Sequence, residues 1–317
     1  MTRRQALLLT GSSLTAQRMT PVDELVNTLE MEAMAQRKLA PAVFAEIASG
    51  DRFAFDRITL RPRLMVNTLG LDLSLDLFGQ QMFAPILIGP TALQGRFHPD
   101  AEKAMIEGAA AAKTSVVFSA NPTVPLDQPV WLQLDPAQKT IPASAKVLIL
   151  TAPFDWANFD RLRKTTKLPL IIKGVMSPKD AQLAQQRGAN GVVVSNYRTP
   201  SLPGLAQPIE VLPAIAAELN NKIPILIDGG FRRGSDILKA LALGARAVLL
   251  GRPPLWGLAA YGAKGVQQVM EQLQTELARD MAMCGKVTLR QLAPDLSLIH
   301  ISEPTRLRRI SYAVFCL

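Results

Sequence analysis

Three arginines and a glycine pair, placed where two apolar runs end, are the residues of this chain best suited to do chemistry. The run IPILI (223–227) leads into Asp228-Gly229-Gly230, with Arg232 and Arg233 just beyond. A helical pattern opens near Gly234-Ser235-Asp236, and a second apolar run, AVLL, ends at Gly251-Arg252. Glycine lets a backbone approach a ligand closely, and free amides at a helix start attract an anion. Arginine adds charge-assisted bonds to phosphate oxygens. The spacing predicts a phosphate cradle spanning two successive strand-to-helix loops. Tight turns carrying solvated arginines are the plainer reading, but two linked loops with Asp228 and Arg252 at strand ends favour the cradle.

The elements that must hold such a cradle alternate along the chain. Apolar, β-branched runs occur at PILIGP (85–90), SVVFSA (115–120), VWLQL (130–134) and KVLIL (146–150). Four more follow at LPLIIKG (168–174), GVVVSN (191–196), IPILIDG (223–229) and AVLLG (247–251). Helical patterns lie between most of them, at 100–113, 155–167, 178–187, 208–220 and 234–243, and a long one covers 255–283. An amphipathic stretch (22–39) and a short helix (41–48) precede the first run. Continuous apolar strands separated by helices imply a parallel sheet buried on both faces. Eight such units predict an α/β fold of the (β/α)₈ TIM-barrel type, with residues 19–295 as one domain. The connections 121–129 and 135–145 are short for parallel crossovers, so helical cover around strands three and four is expected to be reduced.

In this fold, chemistry gathers at the C-terminal ends of the strands. Read in order, those ends carry Pro90-Thr91-Ala92, Ser119 with Asn121, Gln133, Thr151, Lys173, Ser195-Asn196, Asp228-Gly229-Gly230 and Gly251-Arg252. Singly, each is an ordinary loop residue. Their joint occurrence behind apolar runs favours a ligand.

The segment 227–253, with PTALQGRFHPD (90–100) and IIKGV (171–175), resembles the FMN site of the 2-hydroxy-acid oxidase and dehydrogenase family, which includes glycolate and lactate oxidases and mandelate dehydrogenase. The resemblance runs from about residue 22 to 290. It implies that Pro90, Thr91 and Ala92 pass beside the flavin, that Ser119, Gln133 and Thr151 contact its ring, and that Ser195 belongs to the cofactor site. Lys173 would lie beside the N1–C2=O edge, where a cation stabilises the reduced flavin. Asp228 would bond the ribityl hydroxyls, Gly230, Arg232, Gly251 and Arg252 would hold the phosphate, and Gly229 would belong to the same cofactor site. FMN-linked oxidation of a small 2-hydroxy acid or related carboxylate is the function this implies, with the electron acceptor unspecified.

The substrate side departs from the family pattern. The motif Ser-Asn-His-Gly-Gly-Arg reads Ser195-Asn196-Tyr197-Arg198-Thr199-Pro200 here. Tyr197 therefore stands where the histidine that handles the substrate hydroxyl proton belongs, with Arg198 next to it as the carboxylate anchor. A phenol titrates near 10, and its pKa would have to fall by about three to act as a base at neutral pH. The family's tyrosine in FDYIAGG is Glu46 in FAEIASG, and the tyrosine after the strand-three glutamine is Asp135. LTAPFDWANF (150–159) runs directly into a helix where relatives carry an insert with a lid and a further arginine. His98 matches a histidine common at this loop-to-helix junction and reads as structural. Besides the oxidoreductase, two readings stay open: an FMN-binding protein that has lost the oxidase chemistry, and a barrel enzyme using the cradle for another phosphorylated ligand.

Bulk composition narrows the rest. Leu296–Leu317 resembles a translated transposase-type sequencing adapter and is set aside from fold reasoning. That removes three arginines and one glutamate from a formal charge of +9, leaving +7, and leaves His98 and Cys284 as the sole residues of their types. Neither an internal disulfide nor a His/Cys zinc site follows. The basic residues form no run and aromatics are few, so nucleic-acid binding is unsupported. Residues 1–18 contain Arg3-Arg4, a short apolar run and Ala16, and are either a twin-arginine export signal, which would make the protein periplasmic, or a frayed basic terminus of a cytoplasmic one. No segment is long and apolar enough for a stable membrane anchor. Whether the chain forms a homo-oligomer is left open.

Overall fold

The computed structural model describes residues 19–50, 52–124, 130–134, 141–151, 155–197 and 204–299. Each apolar run becomes a strand: β1 (Ile86–Ile88), β2 (Val117–Phe118), β3 (Trp131–Leu134), β4 (Val147–Thr151), β5 (Leu170–Val175), β6 (Gly191–Val194), β7 (Ile225–Asp228) and β8 (Ala247–Leu250). The sheet runs β1-β8-β7-β6-β5-β4-β3-β2, and its neighbours pair in parallel. A parallel bridge between Ile88 and Val116, with the Ile88 amide donating to Ser115 O at 3.0 Å, joins β1 to the start of β2 and closes the ring. The TIM-barrel expectation holds.

Alternation along each strand explains why the runs are apolar throughout. Leu87, Trp131, Val147, Ile149, Ile171, Val193, Leu226 and Leu249 fill the barrel, while Ile86, Ile88, Leu148, Leu150, Val192, Ile227 and Val248 pack outward against the helices. The lower end of the barrel is closed by an antiparallel hairpin, Leu75–Leu77 with Gln80–Met82, which sequence reasoning did not predict. Leu75, Leu77 and Met82 join the inner core, and Phe78 meets Trp131, the first residue of β3, edge-on at 5.7 Å.

The longer helices are α1 (Thr28–Lys38), α2 (Pro41–Ile47), α3 (Ala101–Ala111), α4 (Trp156–Thr165), α5 (Pro178–Gln186), α6 (Pro208–Leu219), α7 (Gly234–Ala242) and α8 (Arg252–Met283), and a single turn covers Phe53–Asp56. Local chemistry starts several of them: the Asn27, Asp155 and Ser177 side chains accept first-turn amides, and Pro41, Pro178 and Pro208 sit at first-turn positions. The last helix is interrupted at Gly262, where φ is 61° and ψ is −140°. Among the described residues no helix lies between β2 and β4, and none is long and apolar enough to cross a membrane. Residues 297–299, set aside with the tail, pair antiparallel with Ile58–Leu60, and residues 300–317 lie outside the described residues.

Candidate active site

The C-terminal ends of the strands open on a cavity of about 540 Å³. One end is built by the loops after β7 and β8, from Asp228 through Arg232 and from Gly251 to Pro253. The other receives Pro90 and Thr91 after β1, Gln133 on β3, Lys173 on β5, and Asn196 and Tyr197 after β6, and Glu46 from the end of α2 also lines the cavity. Because Asp228 and Leu249 are register partners, the two arginine-bearing loops emerge side by side.

The β7 loop turns through left-handed backbone at Gly229 (φ 96°) and Gly230 (φ 82°). A Cβ at Gly230 would also stand 2.7 Å from the Phe55 ring, so both space and conformation require glycine there. Arg232 follows, 3% exposed, with its guanidinium over the Trp256 ring at 4.7 Å. Its Nη1 donates to Phe231 O at 2.8 Å, but Nε and Nη2 are buried without a partner among the described residues. Burial, and then the charge of Arg252, lower its pKa to about 10. A buried cation with two unused donors, facing a second arginine across a cavity, is built for an anion.

The helix amides play a smaller part than the sequence suggested. The Asp236 carboxylate accepts from the amides of Arg232 (2.9 Å) and Arg233 (3.0 Å), and Glu276 accepts from Gly234 N at 2.7 Å. The start of α7 is thus satisfied by the protein's own carboxylates. At the start of α8, Pro253 and Pro254 carry no N–H to offer. Anion recognition at this end falls mainly on the side chains of Arg232 and Arg252. Behind them, Thr28 Oγ1 donates to Arg232 O at 2.6 Å, and Arg52 Nη2 donates to both Asp236 oxygens at 3.0 and 3.1 Å. A Cβ at Gly50 would collide with the Arg252 guanidinium.

Toward the other end, Lys173 is buried and its Nζ donates to Ser195 Oγ at 2.8 Å and to the Asp228 carboxylate. The face of Tyr197 lies 5.5 Å from the same ammonium. Thr151 is buried and lines, with Lys173, a smaller neighbouring cavity of about 220 Å³. Ser195 supports Lys173 from behind without lining the main cavity. Ser119 accepts from Asn121 N at 3.2 Å, and neither it nor the exposed Ala92 lines the cavity. Arg198 lies outside the described residues, as does Asp135. His98 accepts from Asp100 N at 3.1 Å and packs beside the Gly262 break, away from the cavity lining. The residues that sequence reasoning missed, among them Thr28, Arg52 and Trp256, brace the arginines from distant segments, with no local pattern to mark them.

A family model described as FMN-dependent dehydrogenase matches residues 45–140 and, overlapping it, 126–299. This chain belongs to the FMN-dependent dehydrogenase family. The L-lactate oxidase of a Nostoc species is 31% identical, with 89% of this chain and 100% of that protein covered. Glycolate oxidase of Spinacia oleracea is 30% identical over 85% of this chain and 95% of its own length. Among solved structures, a flavocytochrome b2 variant superposes with a TM-score of 0.82 at 29% identity, covering 89% of each chain. A mandelate oxidase bound to (S)-2-phenylpropionate gives 0.78 at 29% identity, covering 84% of this chain and 96% of that one.

Membership makes this an FMN oxidoreductase of the 2-hydroxy-acid class, and it does not favour the reading of a flavin carrier that has lost the chemistry or of a different phosphorylated ligand. The residues present fit the cofactor. The unpartnered edge of Arg232 and the room around Gly251, where a Cβ would meet nothing within 4 Å, suit a phosphate, and Lys173 with Gln133 supplies donors for a ring edge.

Proposed function

We propose that the protein oxidises a small 2-hydroxy acid, and that Lys173, Asp228, Arg232 and Arg252 hold FMN along the cavity. The unpartnered, buried guanidinium edge of Arg232 carries this reading, because it calls for an anion at the phosphate end. FMN, when bound, supplies a two-electron acceptor for the hydride of the alcohol carbon. Arg232 and Arg252 anchor the phosphate. Gly229 and Gly230 let the backbone come close, and Gly251 leaves room beside it. Lys173, already fixed by Ser195 and Asp228, places a positive charge where the reduced ring gains negative charge. Pro90, Thr91 and Gln133 form the wall facing the ring. Tyr197 covers Lys173 on the substrate side, and Arg198 beside it in sequence is the candidate anchor for a substrate carboxylate.

Anaerobic titration of the FMN-loaded protein with lactate, glycolate and mandelate tests it. Bleaching of the long-wavelength flavin band by at least one of them is expected. A protein that takes up FMN and is bleached by none of them would remove the substrate class, and one that takes up no FMN would remove the whole reading. For location we propose export of the folded, loaded chain through Arg3-Arg4, on the strength of that motif alone. Changing both to lysine should move the protein from the periplasmic to the cytoplasmic fraction, and an unchanged distribution counts for the cytoplasm.

A further inference from the structure

Oxidation of an alcohol to a carbonyl releases the hydroxyl proton, and a base must stand where that proton leaves. The histidine of the family pattern is absent, and Tyr197 turns its ring face to Lys173. Among the described residues, the other titratable groups lining the cavity are Glu46, Lys173, Asp228, Arg232 and Arg252. Three of these are cations, which cannot accept a proton at neutral pH. That leaves two carboxylates, and their surroundings separate them. Asp228 is tied to the ammonium of Lys173, whose side chain is 4% exposed, in a pair enclosed by the barrel mouth. Removing one partner from such a pair strands a buried charge. Glu46 is paired with Arg96, whose side chain is 51% exposed. An exposed pair of this kind is worth about 0–1 kcal/mol, so the carboxylate exchanges it readily for another partner. Glu46 is also held in place: it precedes the buried Ile47, whose carbonyl accepts from Trp256 Nε1 at 2.7 Å at the end of α2.

We infer that Glu46 is the proton acceptor of the reaction, a catalytic residue that takes over the task of the missing histidine. The inference rests on the oxidation proposed above. As the C–H bond breaks and its electron pair leaves as hydride to FMN, the oxidant, the O–H proton passes to a Glu46 carboxylate oxygen and the C=O bond forms.

The test compares FMN-loaded parent, Glu46→Gln and Tyr197→Phe proteins by two readouts. The first is binding of phenylglyoxylate, a 2-keto acid, followed by perturbation of the flavin band across a pH series. A base that hands its proton to the keto oxygen must be protonated for this complex. Binding to the parent should therefore tighten by up to about tenfold per pH unit as Glu46 gains its proton, and binding to Glu46→Gln should lose that dependence. The second is anaerobic flavin reduction by the best hydroxy acid, expected to slow by about 10²- to 10⁴-fold in Glu46→Gln and to lose its acid limb. Reduction of Glu46→Gln at the parental rate, pH-dependent keto-acid binding that survives the substitution, or transfer of the rate loss and the lost limb to Tyr197→Phe would each overturn the assignment. If no hydroxy acid reduces the parent but keto-acid binding keeps its Glu46-dependent proton, the substrate class falls and the proton site stands.

Discussion

At the scale of single residues, the most informative group is the guanidinium of Arg232. Burial and the nearby charge of Arg252 lower its pKa to about 10, and two of its nitrogens have no partner. At about 1.4 kcal/mol per pKa unit, holding it charged in the FMN-free fold costs on the order of 3 kcal/mol. The group is charged in both folded and unfolded chains at neutral pH, so the whole penalty stands there. It is relieved only as pH rises above about 10, where the folded form releases its proton before the unfolded one does. Stability from this group thus increases with alkaline pH. The contact with Trp256 returns about 0.5–2 kcal/mol. Arg232→Met is therefore expected to raise the thermal midpoint of FMN-free protein by a few degrees. The same change should weaken FMN binding by about 10- to 100-fold, as loss of a charged hydrogen bond does. Calorimetry on the free protein and flavin-fluorescence titration check the two signs. A lower midpoint for the variant would show that Arg232 is structural.

At the scale of elements, the approach of α7 to α8 sets the shape of the phosphate end. A Cβ on Gly234 would fall within 2.5 Å of Glu276 Cβ and against the backbone of the same turn. The contact leaves Glu276 in line to accept from both Gly234 N and Arg233 Nε. Gly234→Ala is expected to push the helices apart and cost about 1–3 kcal/mol in denaturant unfolding, with weaker FMN binding as the Arg232 loop shifts. Both helices and every barrel strand were legible in the sequence, because uninterrupted apolar runs and the helical patterns between them are local signals. The cradle glycines and arginines were legible for the same reason. The occupied amide of Gly234 was not, since its carboxylate comes from 42 positions away. The Glu46–Arg96 pair likewise joins residues 50 apart, which no spacing rule connects. Ser119 and Ala92 sit at strand ends as expected, yet lie outside the cavity lining, because the strand pattern fixes which loop a residue belongs to and not where that loop turns.

At the scale of the molecule, the two ends of the barrel divide their tasks. The upper end carries the charged cavity, and the lower end is sealed by the Leu75–Met82 hairpin, whose short alternation was too brief to stand out beside longer runs. Phe78→Ala should remove the edge contact with Trp131 and cost up to about 3 kcal/mol, lowering the denaturation midpoint. FMN affinity should hold within a factor of two, measured on the same preparation. A large loss of affinity would mean that the plug reaches the chemistry through the barrel interior.

The brace behind the phosphate end joins distant parts of the chain: Thr28 to Arg232, Arg52 to Asp236, Ile47 to Trp256, and Gly50 against Arg252. A ribosome makes the first jaw of that grip early and the second only after some two hundred further residues. A nascent chain therefore has nothing that can close on FMN until its barrel is almost finished, and loading with the vitamin-derived ligand must follow translation rather than accompany it.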